Sequence, residues 1–201
     1  MSQLSFFEDN ESLRFPENLL DYYPHFLEAG AAMQLLHELM ATVPWRQSTL
    51  TIKDKVILTP RLLAWYGDAK YSYHLSEKQF DPLPWTPALL DLRHKVEDFT
   101  QMHFNSVLLN YYRDGNDSVA WHSDNEQELG QHPNIASLSL GQARNFDFRH
   151  KQDHQRKYSL QLGNGALLIM KGDLQQQWEH RIPKSARPLQ PRINLTFRII
   201  Y

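Results

Sequence analysis

From Asn105 onward the chain leaves no room for a long helix. Short apolar or alternating runs follow one another at Ser106–Tyr112, Ile135–Leu140, Asn145–Arg149, Tyr158–Leu162, Ala166–Met170, Trp178–Ile182 and Arg192–Ile200. Turn formers separate them: Asp114-Gly115-Asn116, Gly141, Gly163-Asn164-Gly165, Gly172 and Pro183. Runs of that length between such breakers read as strands, and their spacing predicts a sandwich or jelly roll. Upstream, Phe26, Ala29, Met33, Leu36 and Met40 recur at helical spacing after Pro24, which predicts a helix over 26–40 with those residues inward. Thr86 as N-cap and Pro87 at the first helical position start a second helix through Leu90, Val96 and Phe99 to about His103. Between them Thr49–Ile52 and Val56–Thr59 flank Lys53-Asp54-Lys55, a hairpin signal. The expected architecture is mostly β, with helices flanking one sheet. No interdomain linker interrupts it, so one domain over 1–201 is expected, with 1–24 as a polar leader on the surface and 105–201 as the β core.

Composition narrows the function classes. The 201 residues include no cysteine, which excludes disulfide scaffolds, thiolate zinc sites and cysteine nucleophiles. No run approaches the roughly 18 apolar residues of a membrane span, and the opening MSQLSFFEDNESLRF is acidic where a signal peptide is basic then apolar. A cytoplasmic protein, nuclear in a eukaryotic cell, with no membrane partner is expected. The net charge of −2 argues against nucleic-acid binding by bulk electrostatics. Residues 1–30 carry six acids against Arg14 alone, however, and the remaining body is mildly basic. That body permits a polyanionic partner without demanding one.

Phosphate-binding and nucleophile-elbow motifs are absent from the sequence, which leaves histidine and carboxylate chemistry. His122-Ser123-Asp124 is the chain's one H-x-D triplet. In extended backbone, residues two apart face the same side, so His122 and Asp124 can hold one ion, with His180 of Trp178-Glu179-His180-Arg181-Ile182 as the third ligand. Two imidazoles and a carboxylate on one face suit a non-haem Fe(II) oxygenase. The same set also suits a hydrolytic or structural zinc. The final strand separates these readings. Arg192, Asn194, Thr196 and Arg198 alternate with Ile193, Leu195, Phe197 and Ile199. A solvated edge strand explains the alternation alone, but it has no need of two arginines six residues apart, whose guanidinium groups match carboxylates. A dicarboxylate that chelates iron at its other end needs such an anchor. Asn110 and Tyr112 share a face nearby.

These motifs occur in a specific order: N-Y-Y-R-D-G-N-D-S-V-A-W-H-S-D-N-E, I-A-S-L-S-L-G, F-R-H, W-E-H and P-R-I-N-L-T-F-R, with P-R-L-L-A-W-Y-G-D upstream. Over roughly residues 45 to 200 the chain resembles the AlkB family of Fe(II)- and 2-oxoglutarate-dependent dioxygenases that repair alkylated nucleic acid. The resemblance implies a double-stranded β-helix (jelly-roll) core. It implies Fe(II) on His122, Asp124 and His180, which together form the catalytic centre, and O2 and 2-oxoglutarate as co-substrates. Arg192 would hold the distal carboxylate of 2-oxoglutarate, with Asn110, Tyr112, Asn194, Thr196 and Arg198 around it. The activity implied is oxidative demethylation of 1-methyladenine and 3-methylcytosine in DNA, with RNA as a second substrate and formaldehyde, succinate and CO2 as products. A dioxygenase acting on a protein or small molecule is the alternative.

A base in a duplex must be unstacked to reach such a centre. The resemblance makes 45–85 a nucleotide-recognition lid. Trp65, Tyr71 and Tyr73 offer stacking surfaces there, with ordinary core packing as the plainer reading. Glu126 would meet a cationic base, where the plainer reading is a solvated loop acid. Asn125 departs from relatives that carry a second acid. The 49–59 hairpin would probe beside the lesion with Ile52 and Val56, while Lys53 and Lys55 meet phosphate. Arg61, Arg144 and the basic run Arg149–Lys157 are further contacts expected for nucleic acid, and a monomer is expected.

Overall fold

The computed structural model describes residues 19–52, 55–69, 73–75 and 78–201. Strands β1 (Leu20–Tyr23), β4 (Leu62–Gly67), β7 (Ser106–Tyr112), β9 (Ile135–Gly141), β12 (Leu167–Met170) and β14 (Arg192–Arg198) form one sheet, in the order β1-β12-β9-β14-β7-β4. A second sheet has the order β11-β10-β13-β8, from β8 (Val119–His122), β10 (Arg144–His150), β11 (Lys157–Leu162) and β13 (Trp178–Ile182). The described pairings within both sheets are antiparallel. This is the jelly-roll arrangement that the strand spacing predicts.

Helices α1 (Ala29–Thr42) and α2 (Pro87–Thr100) cover one face of the larger sheet. There Leu36, Leu89 and Val96 join Val107, Leu109, Leu138, Ile193, Leu195 and Phe197 in one core. Residues of the opposite face, such as Tyr112 and Met170, pack with Phe146, Phe148, Trp178 and Ile182 of the smaller sheet. Strand β14 lies between β7 and β9, and all seven of its residues are buried. The edge-strand reading therefore does not hold. Its alternation sends Ile193, Leu195 and Phe197 to the helices and Arg192, Asn194, Thr196 and Arg198 to the space between the sheets.

Local signals account for the helix ends. Thr86 Oγ1 accepts the Leu89 amide and Pro87 opens α2, as expected. The helix stops earlier than His103 because Gln101 adopts a left-handed conformation, with φ 58°. The face of α1 differs from the expectation by one residue. Glu28 caps the helix, Ala32, Leu36 and Leu39 are buried, and Met33 stays exposed. The inward stripe runs through Ala32, Leu36 and Leu39 at i, i+4 and i+7, and Met33, one residue on from Ala32, is turned about 100° away from it.

The leader expectation also needs correction. Residues 20–23 are no surface strap: they pair with β12 in register Leu20↔Met170 to Tyr23↔Leu167, and Leu20 is buried. A hairpin of β2 (Thr49–Ile52) and β3 (Lys55–Leu58) stands where the sequence places it, and β5 (Tyr73–Leu75) pairs with β6 (Lys78–Phe80). The four-residue helix α3 (Leu174–Gln177) leads directly into β13. Among the described residues, no helix is long and apolar enough to cross a membrane.

Candidate active site

Strands β8 and β13 bring the histidines together. Their antiparallel register sets His180 opposite His122, and the two rings lie 4.3 Å apart between centroids. Asp124 follows β8 by two residues on the same side, with Oδ1 3.6 Å from His122 Nε2. Ligand atoms of His122, Asp124 and His180 all lie within 4.8 Å of one another. His122 Nδ1 sits 2.9 Å from the Ala120 carbonyl oxygen. A proton on Nδ1 satisfies that carbonyl and leaves the Nε2 lone pair facing Asp124.

Burial prepares the other two groups. His180 is enclosed and stacks on Phe146 at 4.9 Å. Desolvation, followed by the nearby His122, pushes its pKa down to about 3, so its imidazole is neutral at neutral pH. For Asp124 burial works against the charge, but the Arg198 guanidinium together with His180 and His122 outweighs it and holds the carboxyl well below the usual carboxylate range. Arg198 donates to Asp124 Oδ2 at 2.8 Å, which leaves Oδ1 on the histidine side. A neutral imidazole and an ionised carboxylate are the protonation states that a divalent ion requires.

The cavity between the sheets extends from these three residues to Arg192, whose exposure is only 1%. One Arg192 nitrogen donates to Ser139 Oγ at 2.9 Å, and its guanidinium lies 5.1 Å from the Tyr112 ring centre. Nε and Nη1 are buried with no hydrogen-bond partner. Desolvation pushes the Arg192 pKa down to about 10, so it still carries its charge. A buried cation with unmet donors, and without a described protein carboxylate against it, is a place built for an anion.

The remaining wall residues divide by role. Asn194 donates to Ser137 Oγ at 2.8 Å and to the Leu138 carbonyl, and accepts from Thr196. Asn110 accepts from Arg61 Nε at 2.7 Å. Tyr112 lines the same cavity. All six expected co-substrate residues therefore converge, although Arg198 is engaged with Asp124. Sequence reasoning missed Ser137 and Ser139. The alternation in I-A-S-L-S-L was the available signal, because it sets both hydroxyls on one face of an otherwise apolar strand.

This architecture has solved counterparts. The structure of OsALKBH1 superimposes with a TM-score of 0.62 at 16% identity, covering 90% of this chain and 96% of that one. The model of the 2OG-Fe(II) oxygenase superfamily matches residues 20–198. The chain belongs to that superfamily. Similar proteins include mouse alpha-ketoglutarate-dependent dioxygenase alkB homolog 3, 43% identical over 188 residues and 89% of this chain. Mouse DNA oxidative demethylase ALKBH2 is 42% identical over 148 residues, 70% of this chain. The chain spans 65% and 62% of those two relatives' own lengths. A superfamily that works with Fe(II) and 2-oxoglutarate fits the donor set: the histidines and Asp124 suit the ion, and the unmet donors of Arg192 suit a distal carboxylate.

The residues expected to contact substrate are more dispersed in the structure. Glu126 lines the cavity. Trp65 pairs with Leu108 on the cavity side of the sheet and packs near Leu129 and Ile200. Arg61 lines the wall, and its donor to Asn110 makes it a brace of the co-substrate side. Arg144 is a correction. It is buried, and its guanidinium bonds the carbonyls of Asp114, Asp117 and Pro183, so it fastens loops and does not reach nucleic acid. Within the basic run, Arg149 pairs with Glu179, and Lys151 donates to the Gln175 carbonyl. Tyr71 and Lys53 lie outside the described residues, as do the side chains of Tyr73, Ile52 and Lys55. Val56, Ile57 and Leu58 of the hairpin are exposed.

Proposed function

We propose that this chain is a repair dioxygenase that demethylates N-alkylated bases, 1-methyladenine and 3-methylcytosine, in DNA and also in RNA. The observation that carries the reading is a three-ligand face and a buried, partly unpartnered Arg192 at opposite ends of one cavity. Similarity to proteins named as a DNA oxidative demethylase and as alkB homolog 3 supports the substrate class.

In this reading His122, Asp124 and His180 hold the iron and Arg192 holds the far carboxylate of 2-oxoglutarate. Asn110, Tyr112, Asn194 and Thr196 form the walls around the acid, and Arg198 keeps Asp124 ionised and oriented. Bound there, Fe(II), 2-oxoglutarate and O2 supply the oxidation that turns an N-methyl group into a hydroxymethyl group, which leaves as formaldehyde, with succinate and CO2 as co-products. Glu126, on the cavity wall, favours a cationic methylated base over its neutral parent. Residues 45–85 act as the lid over an extruded base: Trp65 flanks it, and the hairpin's exposed Val56 enters the gap beside it. The described residues complete the cavity within one chain, which supports a monomer. A genomic substrate implies the cytoplasm, or the nucleus in a eukaryote.

Mass spectrometry of single- and double-stranded oligonucleotides carrying either lesion, incubated with Fe(II), 2-oxoglutarate and air, tests this. Loss of the methyl mass with matching succinate is expected. Succinate formation with every methyl group retained would assign the oxygenase to a protein or small-molecule substrate instead.

A further inference from the structure

The metal-ligand atoms come from two separate segments, the end of β8 with its following residues and strand β13. The β8–β13 pairing joins those segments at His122 and His180, and past the end of that ladder two further hydrogen bonds tie them together beside Asp124. The Asp124 backbone N–H donates to Gln175 Oε1 at 2.9 Å, and Ser123 Oγ donates to the Trp178 carbonyl at 2.9 Å. Gln175 belongs to α3, immediately ahead of the strand that carries His180. Each tie therefore runs from the Asp124 segment to the His180 segment.

Gln175 is itself held from several sides. It is 1% exposed, and its Nε2 donates to Met170 Sδ at 3.4 Å. Lys151 grips the same short helix from outside, through Nζ to the Gln175 carbonyl and through its own amide to the Gln177 carbonyl, both at 2.8 Å. A side chain so enclosed has few rotamers open to it, so its oxygen is a fixed point. The Asp124 amide lies past the end of β8 and has no strand partner, so without Gln175 it would be a buried donor with no acceptor. That is a strong constraint on the backbone which aims the Asp124 carboxylate. Gln175 does not line the cavity and so acts through Asp124.

We propose that Gln175, assisted by Ser123, is a positioning clamp that sets the spacing of Asp124 and His180 and thereby the affinity of the three-ligand face for a divalent metal ion. The proposal rests on the metal-centre reading above. Groups that orient ligands typically change metal affinity by about 10- to 100-fold when removed, which is the range expected for Gln175→Met. That variant keeps the length of the side chain and loses the acceptor.

The test uses the full chain titrated with Co(II), followed by its d–d absorption and by the melting temperature of metal-free protein. Relative to wild type, Gln175→Met is expected to raise the Co(II) dissociation constant by about 10-fold or more and to alter the absorption band. Gln175→Glu keeps an oxygen facing the amide and is expected to bind within about threefold of wild type or tighter. Should Gln175→Met fail to fold, Ser123→Ala removes the other tie at small cost in volume and is expected to weaken Co(II) binding by at least about threefold. A Gln175→Met protein that melts lower yet binds Co(II) as wild type does would make the residue merely structural and overturn the clamp. So would a Gln175→Glu protein as weak as Gln175→Met, or unchanged binding in Ser123→Ala. Absence of Co(II) binding by wild type would overturn the metal centre itself and the clamp with it, a result distinct from the loss of the clamp alone.

Discussion

Replacing Arg192 with methionine separates a binding role from a structural one, because the two predict opposite signs in different assays. This guanidinium donates to Ser139 and meets the Tyr112 side chain, while its Nε and Nη1 are buried without hydrogen-bond partners of good geometry. Its removal therefore releases the fold from part of a desolvation cost, and methionine fills much of the same volume. The expected change in melting temperature of metal-free protein is small, no more than a few degrees in either direction. Toward 2-oxoglutarate the loss is large. A hydrogen bond between charged groups is worth about 1.5–3 kcal/mol, so two such bonds to the distal carboxylate amount to about 3–6 kcal/mol. At about 1.4 kcal/mol per tenfold, the apparent KM for 2-oxoglutarate should rise at least about a hundredfold. Succinate formation over a range of 2-oxoglutarate, with Co(II) affinity as a control for the metal face, measures this. A KM within about threefold of wild type, coupled to a melting temperature lowered by many degrees, would show that Arg192 is a strut and refute the anchor.

Two further expectations follow from burial. Arg144→Met removes three bonds to carbonyls and should cost about 3 kcal/mol. For a chain of this size that lowers the melting temperature by about 6–12 °C, while the salt dependence of oligonucleotide binding stays as in wild type; a shallower salt slope at unchanged melting temperature would restore Arg144 to the nucleic-acid interface. His180 has its pKa depressed from 6.5 to about 3 in the folded state, so between those values the unfolded chain binds the extra proton. Stability of metal-free protein therefore falls as pH drops through about 6.5 toward 3, and His180→Asn should reduce that slope in urea titrations. Equal slopes in the two proteins would contradict the depressed value.

Alternation made most of the site legible. A period of two within His122-Ser123-Asp124 and along Arg192–Arg198 shows which residues share a side, and the structure brings those residues around one cavity. Strand positions fared well for the same reason, since an alternating run between turn formers has few other conformations. Misreadings arose where a tertiary partner decides the matter. Arg61 and Arg144 look alike in sequence, and only the fold shows that one braces Asn110 while the other meets three carbonyls. Leu20–Tyr23 reads as a leader until β12 offers it a partner. Gln175 sits in a run of three glutamines, and only one of them finds the Asp124 amide.

The division of labour between the two sheets explains why the cavity has a direction. A cation with unmet donors is tolerable only where it cannot swing out to water, and Arg192 lies on β14, flanked on both sides by β7 and β9. His122 ends β8, at the edge of the smaller sheet, and its side chain remains 38% exposed. A small dicarboxylate can thus be enclosed at the Arg192 end, while the ligand face stays reachable from outside at the His122 end. In the proposed function, a bulky base delivered from solvent would meet the metal from that side. The same two strands that make the site closed at its anchor make it open at its chemistry.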